Sequence, residues 1–284
     1  MKFKDTDLIL NADGSVYHLH LTPEMVSDRI IIVGDPDRVP KVSRFFSKVE
    51  CKTSKREFVT HTGEYEGKRV TVISSGIGAD NIEIVITELD ALFNTDLQRH
   101  EPKRTRQSFS MVRVGTSGSL QPDIPVGSLL WSKKAIGLDN LSAFYNFSSS
   151  LADRQVCHAL QAHAGFSFRP YLTKCSGKFP APLTAGLVTG VTVTAPGFYA
   201  PQGRVLRKGA RIKGLLDKLG SFQFGDIRLT NMEMETAALY AMGRLYGHDM
   251  ISLNAILASR QQGVFSSDPE KVIRKLILHT LDHI

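Results

Sequence analysis

The chain has 284 residues, 42% of them hydrophobic and 22% charged, which is enough to bury a large core in one sizeable α/β domain or two smaller ones. Its formal charge of +7, from 35 Lys and Arg against 28 Asp and Glu, asks for an anionic partner. No apolar run reaches the roughly eighteen residues of a membrane span. The N-terminal stretch Met1–Asp7 has no apolar signal core, and Cys51, Cys157 and Cys175 are widely spaced with no Cys-x-x-Cys. Both features point to reduced thiols and a cytoplasmic location.

Residues 1–29 read as an N-terminal arm. Within it Tyr17-His-Leu-His-Leu21 alternates, so His18 and His20 share one face if extended, but no third ligand has the spacing a metal needs. Arg29–Val33 is a short apolar strand that runs into Gly34-Asp-Pro-Asp-Arg38, with a helix from about Val39. A strand, a glycine turn and a helix start form a place where an anion meets free N–H groups, and Arg38 adds a forked cation beside it. The plain alternative is an ordinary Asp-Pro-Asp turn.

Arg56–His61 and Lys68–Ser74 read as strands around the turn Glu66-Gly67. Ser75-Gly-Ile-Gly-Ala-Asp80 then leads into a helix near Asn81 to Phe93. It is neither Gly-x-Gly-x-x-Gly nor a Walker loop, which argues against dinucleotide or ATP binding. Gln98–Gln107 is a basic segment, read as a solvated loop. It interleaves no aromatics among its cations, as a nucleic-acid surface would. Met111–Gly115 is a strand with Arg113 inside it, costly unless an anion meets the guanidinium. Gly115 and Thr116 offer N–H and hydroxyl donors to that anion.

Gly127–Trp131 reads as a strand, Leu151–Ala164 as an amphipathic helix and Leu183–Ala195 as one strand or a close pair. The loop Pro196–Arg204 carries Phe198, able to stack on a planar base, with Gln202 and Arg204 to read its edge. Asn231–Tyr240 opens a largely buried helix with Thr230 or Asn231 as N-cap, and Glu233 and Glu235 in its first turn. Two readings of that pair stand side by side. The carboxylates cap the helix, or one of them grips the vicinal hydroxyls of a ribose. His248–Ala258 is the last buried strand, and residues 268–283 a final helix. No linker or repeat divides the chain, so it reads as a single α/β domain.

Three motifs in order, Gly34–Arg38, Arg113–Gly118 and Met232–Glu235, resemble the nucleoside phosphorylase family of the uridine phosphorylase type, from about His18 to the C-terminus. The resemblance implies a twisted central mixed sheet flanked by helices, and a homo-oligomer, dimeric or hexameric, with shared sites. It implies a phosphate site at Gly34, Arg38, Arg113, Gly115 and Thr116, with Arg56 lent by a neighbouring subunit. Met234 and Glu235 match ribose contacts, and His18 matches a histidine that the arm lends to the ribose 5′-hydroxyl. Phe198, Gln202 and Arg204 match the pyrimidine-reading segment. The activity implied is reversible phosphorolysis of uridine to uracil and ribose 1-phosphate, a pentosyl transfer of pyrimidine salvage, with Arg113, Glu235 and Arg204 as catalytic residues.

Phosphate enters as a substrate and no cofactor or nucleic acid is implied. In some relatives a monovalent cation sits near the glutamate matching Glu57, but Ala79-Asp80-Asn81 departs from the small-residue run found there. Gln98–Ser110 is longer than the family's connection. Ala258-Ser-Arg260 lacks the aspartate of purine-cleaving relatives, which favours a pyrimidine. The competing expectations are a phosphorylase or hydrolase of deoxyuridine, thymidine or a purine nucleoside, and a non-catalytic nucleoside- or nucleic-acid-binding protein.

Overall fold

A computed structural model describes residues 2–176 and 178–284; Met1, at the head of the N-terminal segment, lies outside the described residues. Arg29–Val33 forms the first strand, β1, with Ile30 to Val33 fully buried. A parallel strand covered on both faces has no polar side to show, hence the unbroken apolar run. The chain continues through Lys48–Lys55 (β2), Phe58–Tyr65 (β3) and Lys68–Ser74 (β4), all antiparallel hairpin partners. Glu66 and Gly67, both at positive φ, make the turn expected between β3 and β4. The strand expected at Arg56–His61 starts at Phe58 instead, because Arg56 and Glu57 are the turn after β2. β2 itself, Lys48-Val-Glu-Cys-Lys-Thr-Ser-Lys55, was not anticipated. It is an edge strand with one solvated face, and its lysines hide it in the sequence while guarding the edge.

β1 lies between β4 and Ser110–Ser119 (β5), parallel to both. Leu129–Gly137 (β6), Tyr171–Lys174 (β7), Val188–Thr194 (β8), Asn231–Glu233 (β9), Asp249–Ser259 (β10) and Val264–Phe265 (β11) complete the set. Here the sheet closes on itself. β5 pairs with β10, β10 with β6, β6 with β8, β8 with β9, and β9 back to β5. Among the described residues eleven strands form this one mixed sheet. The strand expected over Leu183–Ala195 is shorter, because Ala181–Leu183 is a 3-10 turn that precedes it.

Six helices among the described residues cover the sheet: Arg38–Ser43 (α1), Ala79–Asn94 (α2), Leu151–Ala164 (α3), Leu215–Ser221 (α4), Thr236–Tyr246 (α5) and Pro269–Leu281 (α6). α2 and α5 share a core built on Ile82, Val85, Ile86 and the buried run Ala237–Met242. α1 and α6 cover another part through Val39, Val42, Ile273 and Leu276. α3 is bounded as its sequence suggests: the Ser150 hydroxyl accepts from the Asp153 N–H, and Gly165 at φ 74 ends it. The result is a single-domain α/β fold with a mixed sheet flanked by helices.

The N-terminal segment is more than an arm. Val16, Leu19, Leu21 and Val26 sink into the core shared by α2 and α5, so residues 16–26 belong to the domain. Four large apolar side chains removed from water anchor it, at roughly 1.5–3 kcal/mol each before entropy is subtracted. Gln98–Gln107 is mostly exposed, as read, and a two-residue pairing of Thr95–Asp96 with Glu101–Pro102 folds it back.

Candidate active site

The carboxyl ends of parallel strands β1, β4, β5 and β10 meet at one edge, and a cavity of about 1020 Å³ opens there. It lies where the chain leaves β1 for β4 on one side and returns as β5 on the other, the usual place for a ligand crevice in such sheets. The turn after β1 contributes Gly34 and Arg38, β5 contributes Arg113 and Thr116, and the segment after β9 contributes Met234 and Glu235. The loop after β8 contributes Phe198, Gln202 and Arg204. On β10 the register slips between Ile256 and Ala258, and the extra residue, Leu257, lines the cavity with Ala258. A bulge here re-aims the strand beside the site.

Arg113 does meet an anion, but the anions are the protein's own. Its Nη2 lies 2.5 Å from Glu235 Oε2 and 3.1 Å from Glu233 Oε2. Its Nη1 donates to Asn254 Oδ1 at 3.2 Å, with Ser252 Oγ at 3.4 Å. All three charged groups are buried, so each is tolerable only through the others. Burial pushes the Glu235 carboxyl above its ordinary range; Arg113 opposes that shift and Glu233 adds to it. Gly115 does not line the cavity, contrary to its expected role as a phosphate donor. It makes room instead, since a Cβ there would stand 1.8 Å from Arg113 Nη1.

Of the two readings of the glutamate pair, the structure bears on the capping one. Asn231–Glu233 is strand, and α5 starts only at Thr236, so Thr230 and Asn231 do not cap it. Glu233 does. Its carboxylate accepts from the Glu235 and Thr236 N–H groups at 2.9–3.1 Å and from Thr194 Oγ1 at 2.6 Å. Thr194 in turn accepts from the Ala237 N–H at 2.9 Å, so the helix start is satisfied from within. Glu235 has one other partner, the Gly78 N–H at 2.9 Å, and faces the cavity.

Arg38 contrasts with Arg113. Its Nη1 donates to the Val114 carbonyl at 3.2 Å, and among the described residues no carboxylate lies within ion-pair distance. Burial lowers its pKa, with Asp35 opposing. A desolvated guanidinium with one neutral partner and an open cavity beside it has donors left to offer an anion.

In the loop after β8 the Arg204 guanidinium lies 3.6 Å over the Phe198 ring and donates to the Phe198 carbonyl at 2.6 Å and to Gln202 Oε1 at 2.8 Å. With its carbonyl oxygen held, Gln202 has its NH2 left to offer. Burial, then the nearby Arg260, lowers the Arg204 pKa to about 10. Arg260 was not anticipated in any role. Its Nη2 donates to the Gln202 carbonyl at 3.3 Å, its chain packs where a Gly118 side chain would stand, and its buried Nη1 has no partner among the described residues. The signal was available: it is a cation placed directly after the last buried strand, β10.

His18 and Arg56 do not reach this cavity. They lie together elsewhere, with Tyr17 edge-on to the His18 ring at 4.9 Å and the exposed Arg56 guanidinium 5.9 Å from the Tyr17 ring. Glu57, next to Arg56, does line the cavity, and Asn81 Nδ2 donates to its Oε1 at 3.1 Å.

A family model described as phosphorylase superfamily matches residues 28–275. The chain belongs to the phosphorylase superfamily. A uridine phosphorylase from Thermococcus kodakarensis is 30% identical over 95% of this chain and 87% of its own length. A solved Trypanosoma brucei nucleoside phosphorylase, described as having uridine phosphorylase activity, superposes with a TM-score of 0.86 at 28% identity, covering 98% of this chain and all of that one. A purine nucleoside phosphorylase of the DeoD type from Bacillus cereus is 26% identical over 83% of each chain. Superfamily membership therefore does not choose the base; the residues around the cavity have to.

Proposed function

We propose that this protein is a uridine phosphorylase, a pentosyltransferase that moves ribose between uracil and inorganic phosphate. The observation that carries this reading is the set of donors from the loop after β8. The NH2 of Gln202 and the guanidinium of Arg204, backed by Arg260, converge with no carboxylate among them. Uracil presents carbonyl oxygens on its edge and gathers negative charge as it leaves, which suits donors and cations. A purine ring departs most easily when an acid protonates it, and neither this loop nor Ala258-Ser-Arg260 at the end of β10 carries one. The uridine phosphorylases among its relatives agree.

The step follows from the arrangement. Phosphate binds at Arg38, the Gly34 backbone and Thr116, and competes with Glu235 for Arg113. Glu235, released from part of that ion pair, accepts from the ribose hydroxyls, with Met234 packed beside the sugar. A phosphate oxygen attacks the anomeric carbon as the bond to the base nitrogen breaks, and the electron pair leaves with uracil. Positive charge on the ribosyl group is flanked by phosphate and Glu235, and negative charge on the base by Gln202 and Arg204, with Phe198 stacked on its face. This is catalysis by positioning and charge, with no covalent enzyme intermediate.

The oligomeric reading rests on His18 and Arg56. Both lie outside this chain's own cavity and each lies against Tyr17, as residues lent to a second copy would, so the working unit is a dimer or a hexamer built from dimers. No cofactor takes part. A cation near Glu57 fits poorly, because Asn81 turns a neutral NH2 donor toward that carboxylate where a cation needs oxygens. Among the described residues no helix is long and apolar enough to cross a membrane, and the reading assigns the enzyme to the cytoplasm.

The deciding experiment is chromatography of uridine incubated with and without inorganic phosphate, beside deoxyuridine, thymidine and inosine. Uracil and ribose 1-phosphate, formed only when phosphate is present, are expected. Free ribose would mean hydrolysis, and cleavage of inosine in preference to uridine would overturn the reading of the Phe198–Arg204 loop.

A further inference from the structure

Glu88, on the middle of α2, lies outside the cavity and has no part in the chemistry described so far. It is a nearly buried carboxylate whose ligands all come from the N-terminal segment. The His18 N–H donates to it at 3.0 Å and the Leu19 N–H at 2.8 Å, and His18 Nδ1 lies 2.6 Å from Oε1. Val16, Leu19 and Leu21, buried around it, fix the backbone that presents these groups. An ionised carboxylate only accepts, so Nδ1 must carry the hydrogen. The other ring nitrogen, Nε2, has no partner among the described residues. A histidine whose Nδ1–H is committed to a carboxylate offers Nε2 as a lone pair when the ring is neutral.

We infer that Glu88 is a positioning residue: it sets the tautomer and direction of His18, so that Nε2 is the acceptor for a substrate hydroxyl in the neighbouring copy's site. This rests on the reading above that His18 serves the ribose 5′-hydroxyl across the dimer. A neutral, wrongly oriented imidazole presents N–H to a hydroxyl that then has to turn its own proton elsewhere. The Glu88 carboxylate prevents that by occupying Nδ1. The two backbone bonds explain why a carboxylate and not a carbonyl stands there, since three donors need two oxygens.

The test compares uridine with 5′-deoxyuridine, which lacks the hydroxyl in question, in the full-length oligomer. Glu88→Gln puts an NH2 toward Nδ1 and is expected to lower kcat/KM for uridine about tenfold, the weight of one hydrogen bond to a polar partner. On 5′-deoxyuridine it should stay within about twofold of the unmodified protein. His18→Ala should reproduce the same pattern, and combining it with Glu88→Gln should add no further loss, because the two act as one unit. Equal losses on both nucleosides, with an unchanged melting curve or a lowered one, would make Glu88 structural and overturn the inference; so would an unaffected uridine rate. The parent reading fails separately. An unmodified enzyme that takes both nucleosides equally well removes His18 from the 5′-hydroxyl and the inference with it, while phosphorolysis itself stands.

Discussion

The cavity has two kinds of wall. One is carried on strands: Arg113 within β5, Glu233 at the end of β9 and Glu235 just past it, all buried and tied to one another. The other is carried on the loop after β8, where Phe198 is half exposed and Arg204 is held by a ring, a carbonyl and a side-chain amide. The strand wall is rigid because its charges cannot survive apart. The loop wall is held by contacts that each contribute little. On the proposed reading, a site built this way keeps the shared chemistry fixed and leaves the choice of base on a part that tolerates change.

The sharpest way to break this comparison is to unbalance the strand wall. Arg113→Ala strands two buried carboxylates without their cation, and should destabilise folding by about 3–5 kcal/mol as well as abolish turnover. Denaturant unfolding measures the first, and a midpoint close to that of the unmodified protein would mean the triad is far wetter than its burial implies. Glu235→Gln is gentler on the fold, because Glu233 still faces Arg113 and still caps α5. It should cut turnover on the order of a hundredfold through the loss of the charged ribose contact. A full rate in the folded variant would take Glu235 out of the reaction. The pH profile gives the same group a signature. Burial raises the Glu235 pKa above the ordinary carboxylate value and the ionised form is the working one, so the rate should fall with decreasing pH along a limb above that ordinary value. A limb at or below that value would sink the assignment.

The same division decided what could be read from the sequence. Buried parallel strands leave unbroken apolar runs, so β1 was legible to the residue, and a lone arginine in such a run flagged Arg113. The partner of Arg113 was not legible. Glu233 and Glu235 are 120 and 122 residues further along the chain, and only the antiparallel closure of β9 onto β5 brings them together. The helix cap was misread for a related reason. Thr230 and Asn231 suit an N-cap locally, but pairing with β8 and β5 holds Asn231 in a strand, with Thr230 just before it, and passes the role to Glu233. β2 left no signal, because an edge strand with one solvated face looks like a polar loop. The N-terminal segment looked free because its apolar residues are scattered among polar ones, yet Val16, Leu19, Leu21 and Val26 find the core.

The loop wall is where smaller effects should appear, and where they should discriminate among substrates. Gln202→Ala removes the amide that Arg204 fixes, and should lower kcat/KM for uridine about tenfold while narrowing its advantage over inosine. Equal proportional losses on every nucleoside would mean that Gln202 holds the loop together and does not read the base. That outcome would erase the functional difference between the two walls, even with their geometry intact.

Phe198→Leu should have the smallest effect of the set. The ring gives up its stack under the Arg204 guanidinium, 3.6 Å away, at a half-exposed position where such a contact contributes about 0.5–1 kcal/mol. That corresponds to roughly a twofold to fivefold change. It should fall on KM for uridine with kcat nearly unchanged, because a stacking contact holds the base equally before and during bond breaking. Steady-state kinetics separates the two constants. A loss concentrated in kcat would mean that the ring keeps Arg204 aimed at the departing base, and the loop wall would then share the rigidity that the comparison assigns to the strands alone.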